Sequence, residues 1–275
     1  MGAVDGILEF FRRNLDERGL VGKVGGINGR AKYWSFIDWT KQWDETSGMP
    51  RAGLEGPITM ESLLYILGLE YAAKVLEYLG RNSVAEEYRE RAAKVRDAVN
   101  RWCVDENGVY IDGPGVKQYS QHCQVFALLA GCVDPQKGAE NLKKSMEDPE
   151  TYAQCSVAMA YYLYRALEKA GMYAETEKCW DLWKKMVKDN LTTCVEDGVN
   201  GRSDCHAWGS LILFELPAVV LGVHPAAPGY EKIAVEPNPG YLEWAKGEVI
   251  TKKGMVKVSW KKTESGVDVA YELPQ

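Results

Sequence analysis

The chain has only five Phe, against nine Trp and 15 Tyr. It has three His and no CxxC pair, too few ligands at the wrong spacing for a metal site. Adjacent Cys205 and His206 would point about 100° apart on a helix, so they do not make a nucleophile pair. No basic block stands out and the formal charge is −6, which excludes a nucleic-acid surface. The longest apolar run, Leu211 to Val223, is broken by Glu215 and Pro217 and is too short to cross a bilayer. The N-terminus lacks a basic start followed by an apolar stretch, so no signal peptide is visible. Seven scattered Cys read as small buried hydrophobes in a reducing compartment, and the expected location is the cytoplasm. No cofactor motif is present.

What is there is an ordinary globular mix, long enough at 275 residues to bury a sizeable core. Its first two-thirds read as helices. Apolar residues Val4, Ile7, Leu8, Phe11 and Leu15 predict an amphipathic helix over 3–17. A long loop rich in Gly and aromatics follows over 20–58, and loops of that length are usually functional. A helix runs from Met60 to Leu79. Ser83 and Glu86 form an expected capping box for the next, whose stripe is Val84, Tyr88, Ala92, Val95, Val99 and Trp102. Val109–Ile111 looks like a short strand. Residues 117–131 look helical. Asp134-Pro135 and Asp148-Pro149 predict helix starts over 135–146 and 149–170. Further helices are expected at 172–189 and 204–222. After Gly222 four prolines break the pattern, and alternation around Val256, Val258, Trp260 and Val267, Val269, Tyr271 predicts an antiparallel β meander. The expected domains are 1–224, helical, and 225–275, β.

Four stretches carry chemistry. Tyr33-Trp-Ser-Phe-Ile-Asp38-Trp39 places a carboxylate among aromatics. Rings stack on the C–H face of a pyranose and carboxylates accept its hydroxyl protons. The same pattern also suits a loop that tucks its rings into the core. Gln118-Tyr-Ser-Gln-His122 puts polar groups at a helix start, which capping alone would explain. Thr192-Thr-Cys-Val-Glu196 sets a Glu in a loop, where it could equally be an ordinary surface charge. Ser203-Asp204-Cys-His206-Ala-Trp208 reads as a helix start with Asp204 near the cap and His206 aimed at a pocket.

In this order, and with Leu221-Gly-Val-His-Pro-Ala-Ala-Pro-Gly229 and the tail around Ile233–Pro237 and Gly254–Trp260, these stretches resemble the α-L-rhamnosidases of glycoside hydrolase family 78. The resemblance covers nearly the whole chain. It implies an (α/α)6 barrel, a helical toroid, followed by a β-sandwich. It also implies inverting hydrolysis of terminal α-L-rhamnosides, which needs a carboxylic acid and a carboxylate base. Glu196 matches the loop Glu that looks like the general base, and His206 accompanies it as a catalytic candidate. Trp34, Asp38, Trp39, His122, Asp204 and Trp208 fall among residues expected to bind the sugar.

One piece of the family pattern is missing. The family's general acid sits in an Asp/Arg/Glu-rich motif before a Gly-Trp pair, and neither Asp16-Glu-Arg-Gly19 nor Glu55-Gly56 matches it. Seven or eight helices are expected where the barrel has twelve, so the toroid is expected to be truncated. An open arc leaves apolar faces exposed, which implies self-association or a companion chain. Two readings stand: a rhamnosidase-like hydrolase region that needs a supplied acid, or a carbohydrate-binding or structural remnant of that family.

Overall fold

The computed structural model describes residues 1–197 and 203–274. The chain forms two compact units, Met1–Ala170 and Gly171–Gln275.

The first unit is helical. Helix α1 spans Gly2–Arg13, shorter than expected, because Leu15 leaves the helix to form a bridge with Val21. Helices α2, Thr59–Tyr78, and α3, Asn82–Trp102, form an antiparallel hairpin. Its turn closes on Gly80 at φ 73°, with Arg81 N–H donating to Leu76 O at 2.8 Å. That left-handed position favours Gly over any residue with a Cβ. Helix α3 buries Tyr88, Ala92, Val95 and Val99 of the expected stripe, and Ala85 besides, whereas Val84 is half-buried and Trp102 is exposed. The expected capping box does not form. Helix α3 begins two residues earlier, with Arg81 at its N-cap position, and Ser83 lies inside its first turn.

The expected strand at Val109–Ile111 is reduced to a single bridge between Tyr110 and Val104. The helix expected over 117–131 is shorter. Strand β1, Tyr119–Ser120, precedes helix α4, Gln121–Leu129, and Ser120 Oγ caps it by accepting from Cys123 N–H. Helix α5, Pro135–Glu147, starts as expected, with Asp134 accepting from the N–H groups of Gln136 and Lys137. The helix expected from 149 does not start there. Asp148 instead ends α5, and Tyr152–Ala153 forms strand β2, paired parallel to β1. Helix α6 is therefore confined to Ala160–Lys169.

The second unit opens with a 3₁₀ segment at Tyr173–Cys179 and helix α7, Asp181–Lys188. The helix expected over 204–222 is split into a 3₁₀ turn at Ala207–Leu211, α8 at Ile212–Glu215 and a π-helical turn at Leu216–Val220. Pro217 is the physical reason: it has no N–H to continue the α pattern. The wider turn closes with Leu221 N–H donating to Leu216 O at 2.9 Å. Strands β3, Val223–Pro225, and β4, Ile233–Val235, pair antiparallel. Strands β5, Trp244–Thr251, β6, Gly254–Thr263, and β7, Gly266–Glu272, form the expected meander. Its inner face buries Val256, Val258 and Trp260 against Val220, Leu221 and Val223. The Trp260 indole N–H donates to Val220 O at 2.8 Å, which satisfies the polar tip of the buried ring.

Candidate active site

The aromatic loop of the first unit is built around a close backbone turn. The N–H groups of Ile37 and Asp38 both donate to Gly48 O. Gly48 has φ 77°, and a Cβ there would lie 2.6 Å from the Phe36 ring, so the turn needs Gly. Trp34, Phe36 and Trp39 cluster with ring centroids 4.9 to 5.8 Å apart. Trp34 is exposed and Trp39 half-buried.

Beneath these rings lies a dry polar clasp. Asp38 and His122, 84 residues apart, meet at 2.7 Å and neither is exposed at all. Asp38 also accepts from Trp39 N–H at 2.8 Å, Ser156 N–H at 2.8 Å and the Ser156 hydroxyl at 2.5 Å. Trp43 stacks on the His122 ring at 4.7 Å. Burial pulls the His122 pKa down, but the Cys155 sulfur and the Asp38 carboxylate outweigh it and raise it to about 10. Asp38 and His122 are therefore bonded to each other in the interior of this unit. Of the groups that complete the clasp, Ser156 and Cys155 carry no signal in the sequence. They sit where a helix was expected.

The second unit holds the other candidates. Two loop segments pair: Glu196 N–H donates to Ser203 O, and His206 N–H donates to Cys194 O, both at 2.8 Å. The Trp208 indole N–H donates to Glu196 O at 2.8 Å. Gly209 lets the segments close, since a Cβ there would stand 2.4 Å from Val195 O. Gly209 O in turn accepts from the Trp183 indole at 2.8 Å. This frame leaves the Glu196 side chain 5% exposed, with His206 Nδ1 3.8 Å from its Oε2. The His206 and Trp208 rings are tilted against each other with centroids 4.0 Å apart. Asp204 is exposed, and His206 rather than Asp204 holds the N-cap position of the turn that follows; the Asp204 backbone carbonyl accepts from the Thr193 hydroxyl. The structure thus gathers Glu196, His206 and Trp208, as it gathers Asp38, His122 and Trp39. Among the described residues no group of three or more His, Cys, Asp or Glu could hold a metal ion. No helix among them is long and apolar enough to cross a membrane. The expectation that the Cys are buried holds for Cys103, Cys123 and Cys132 but not for Cys205, which is exposed.

Helical hairpins, an aromatic loop and a loop carboxylate beside His and Trp, followed by a small antiparallel module, define a six-hairpin glycosidase fold. The family model for the bacterial α-L-rhamnosidase 6 hairpin glycosidase domain matches residues 16–215, and that for the bacterial α-L-rhamnosidase C-terminal domain matches 222–275. The chain belongs to this bacterial α-L-rhamnosidase family. An α-L-rhamnosidase of Alteromonas sp. (strain LOR) is 22% identical, over 90% of this chain and 29% of that protein. The family 78 rhamnosidase of Bacillus sp. GL1 superposes with a TM-score of 0.80 at 24% identity, over 98% of this chain and 29% of that one. A rhamnosidase from Klebsiella oxytoca, solved with rhamnose bound, superposes with a TM-score of 0.60 at 20% identity, over 76% and 40%. The chain therefore spans less than a third of the length of the curated relative it matches.

Proposed function

We propose that this chain is the rhamnosidase-like region of an inverting glycoside hydrolase acting on terminal α-L-rhamnosides. On this reading residues 1–224 form the catalytic helical region and 225–275 the β module behind it. Glu196 is the general base that activates water, and His206 steadies its charge. The observation that carries this is the Glu196 frame: a nearly buried carboxylate, its main chain fixed on both sides, beside a His–Trp ring pair in contact. In the first unit Trp34 and Trp39 are the sugar-binding candidates, with Asp38 and His122 holding Trp39 in position; in the second unit Asp204 and Trp208 are the sugar-binding candidates. The proton for the leaving oxygen comes from outside the family's usual motif, which this chain lacks. We place a second copy or a companion chain on α2, which is apolar on more than its α3-facing side. Tyr71, Val75 and Tyr78 are exposed there.

Release of nitrophenol from 4-nitrophenyl α-L-rhamnoside, beside a Glu196→Gln variant, tests the function. The expected outcome is turnover that falls about 10²–10⁴-fold in the variant. Turnover equal in both proteins would remove Glu196 from the mechanism. No turnover, with rhamnose still raising the melting temperature, would instead make the chain a carbohydrate-binding remnant.

A further inference from the structure

A second feature of the first unit shares only the Trp34 ring with that chemistry. Between α1, the aromatic loop and α2 lies a cavity of about 330 Å³, a size that accepts a small organic molecule. Phe10, Phe11, Tyr33, Trp34, Phe36 and Tyr65 line it. The rings are set edge to face or tilted, with Phe10 5.7 Å from Tyr33 and Phe11 5.8 Å from Tyr65. One acid enters this wall: Glu61, in the first turn of α2.

The charges around the cavity leave that acid without a counter-ion. Arg91 of α3 donates to the Tyr65 hydroxyl at 3.3 Å, and Glu87 of α3 and Arg12 of α1 also act on Tyr65. Lys32 of the loop places its ammonium 5.0 Å over the Tyr33 ring. Among the described residues none of these forms an ion pair with Glu61, whose polar partner is the Ser35 hydroxyl. Burial pushes the Glu61 carboxyl up to about 7, against that hydrogen bond. Lys32 already shows that a ring of this wall takes a cation on its face.

We propose that this cavity binds a small organic ammonium cation, held by the ring faces and completed by the Glu61 carboxylate. Aromatic faces attract a cation through their quadrupole, most strongly where water is excluded. A buried carboxylate gains most from a partner that arrives with the opposite charge. A neutral ligand would fill the space but leave the acid uncompensated. The proposal does not rest on the glycosidase reading, although both use the Trp34 ring.

Calorimetric titration of the whole chain with benzyltrimethylammonium tests it, with benzyl alcohol as the uncharged comparator. Binding is expected at pH 8 and should weaken about tenfold at pH 6, as the ionised fraction of Glu61 falls. Glu61→Gln should bind at least about tenfold more weakly and with no pH dependence. Tyr33→Leu, a change on an exposed loop, should weaken binding yet keep the pH dependence. The proposal is overturned if wild type gives no binding at millimolar probe, if benzyl alcohol binds as tightly, or if Glu61→Gln retains the affinity or the pH slope.

Discussion

Asp38 and Glu196 are both nearly buried carboxylates beside a His and a Trp, yet their surroundings differ. Asp38 takes four hydrogen bonds, from His122, twice from Ser156 and from its own neighbour Trp39, so its charge is spent holding chain segments together. Glu196 is fixed through its main chain, and His206 stands at 3.8 Å, beyond a good hydrogen bond. A carboxylate saturated by the protein suits architecture. The two sites thus differ in what is seen to be fixed: at Asp38 the carboxylate itself joins distant segments, and at Glu196 the main chain is pinned beside His206 and Trp208.

The contrast can be broken most sharply at Asp38. Asp38→Ala leaves His122 buried without its partner and should cost about 3–5 kcal/mol in urea unfolding. Glu196→Gln should leave the unfolding midpoint close to wild type; an equal loss at both positions would erase the distinction. Gly209→Ala should cost about 1–3 kcal/mol, because its Cβ meets Val195 O at 2.4 Å. That loss should come with weakened turnover, since the same contact closes the Glu196 frame. A thermal melt beside the nitrophenol assay reads both.

The smallest and most diagnostic effect is in pH. His122 has a folded pKa of about 10, above its ordinary 6.5. Raised in the folded state, it contributes stability in full below about 6.5, and that contribution fades as pH rises to about 10. Wild type should therefore lose stability over that window, and Asp38→Ala should lose less over the same range. Parallel curves for the two proteins would show that the clasp is not the source.

Much of this was legible in sequence. The middle of the α3 stripe, the Asp134 cap and the β meander follow from local spacing, and the structure has them. The failures share one cause. At Asp148-Pro149 the local signal for a helix start loses to a parallel pairing with residues more than 30 positions earlier. At Ser83 a capping box loses to a turn fixed by Gly80. In the site, Asp38 and His122 stood out by residue type, whereas Ser156 did not, because its role exists only once distant segments meet. Glu61 looked like any acid in a first helical turn; only the rings around it give it a distinct environment.

That clasp also has a place in time. Its bonds join positions 84 and 118 residues apart, while the α2–α3 hairpin and the meander are closed by neighbours in sequence. Loop-closure entropy penalises distant pairings, so they gain their free energy only after local elements have formed. The aromatic loop that carries Trp34 and Trp39 is thus set late in folding, when Ser156 and His122 are already in place to receive Asp38.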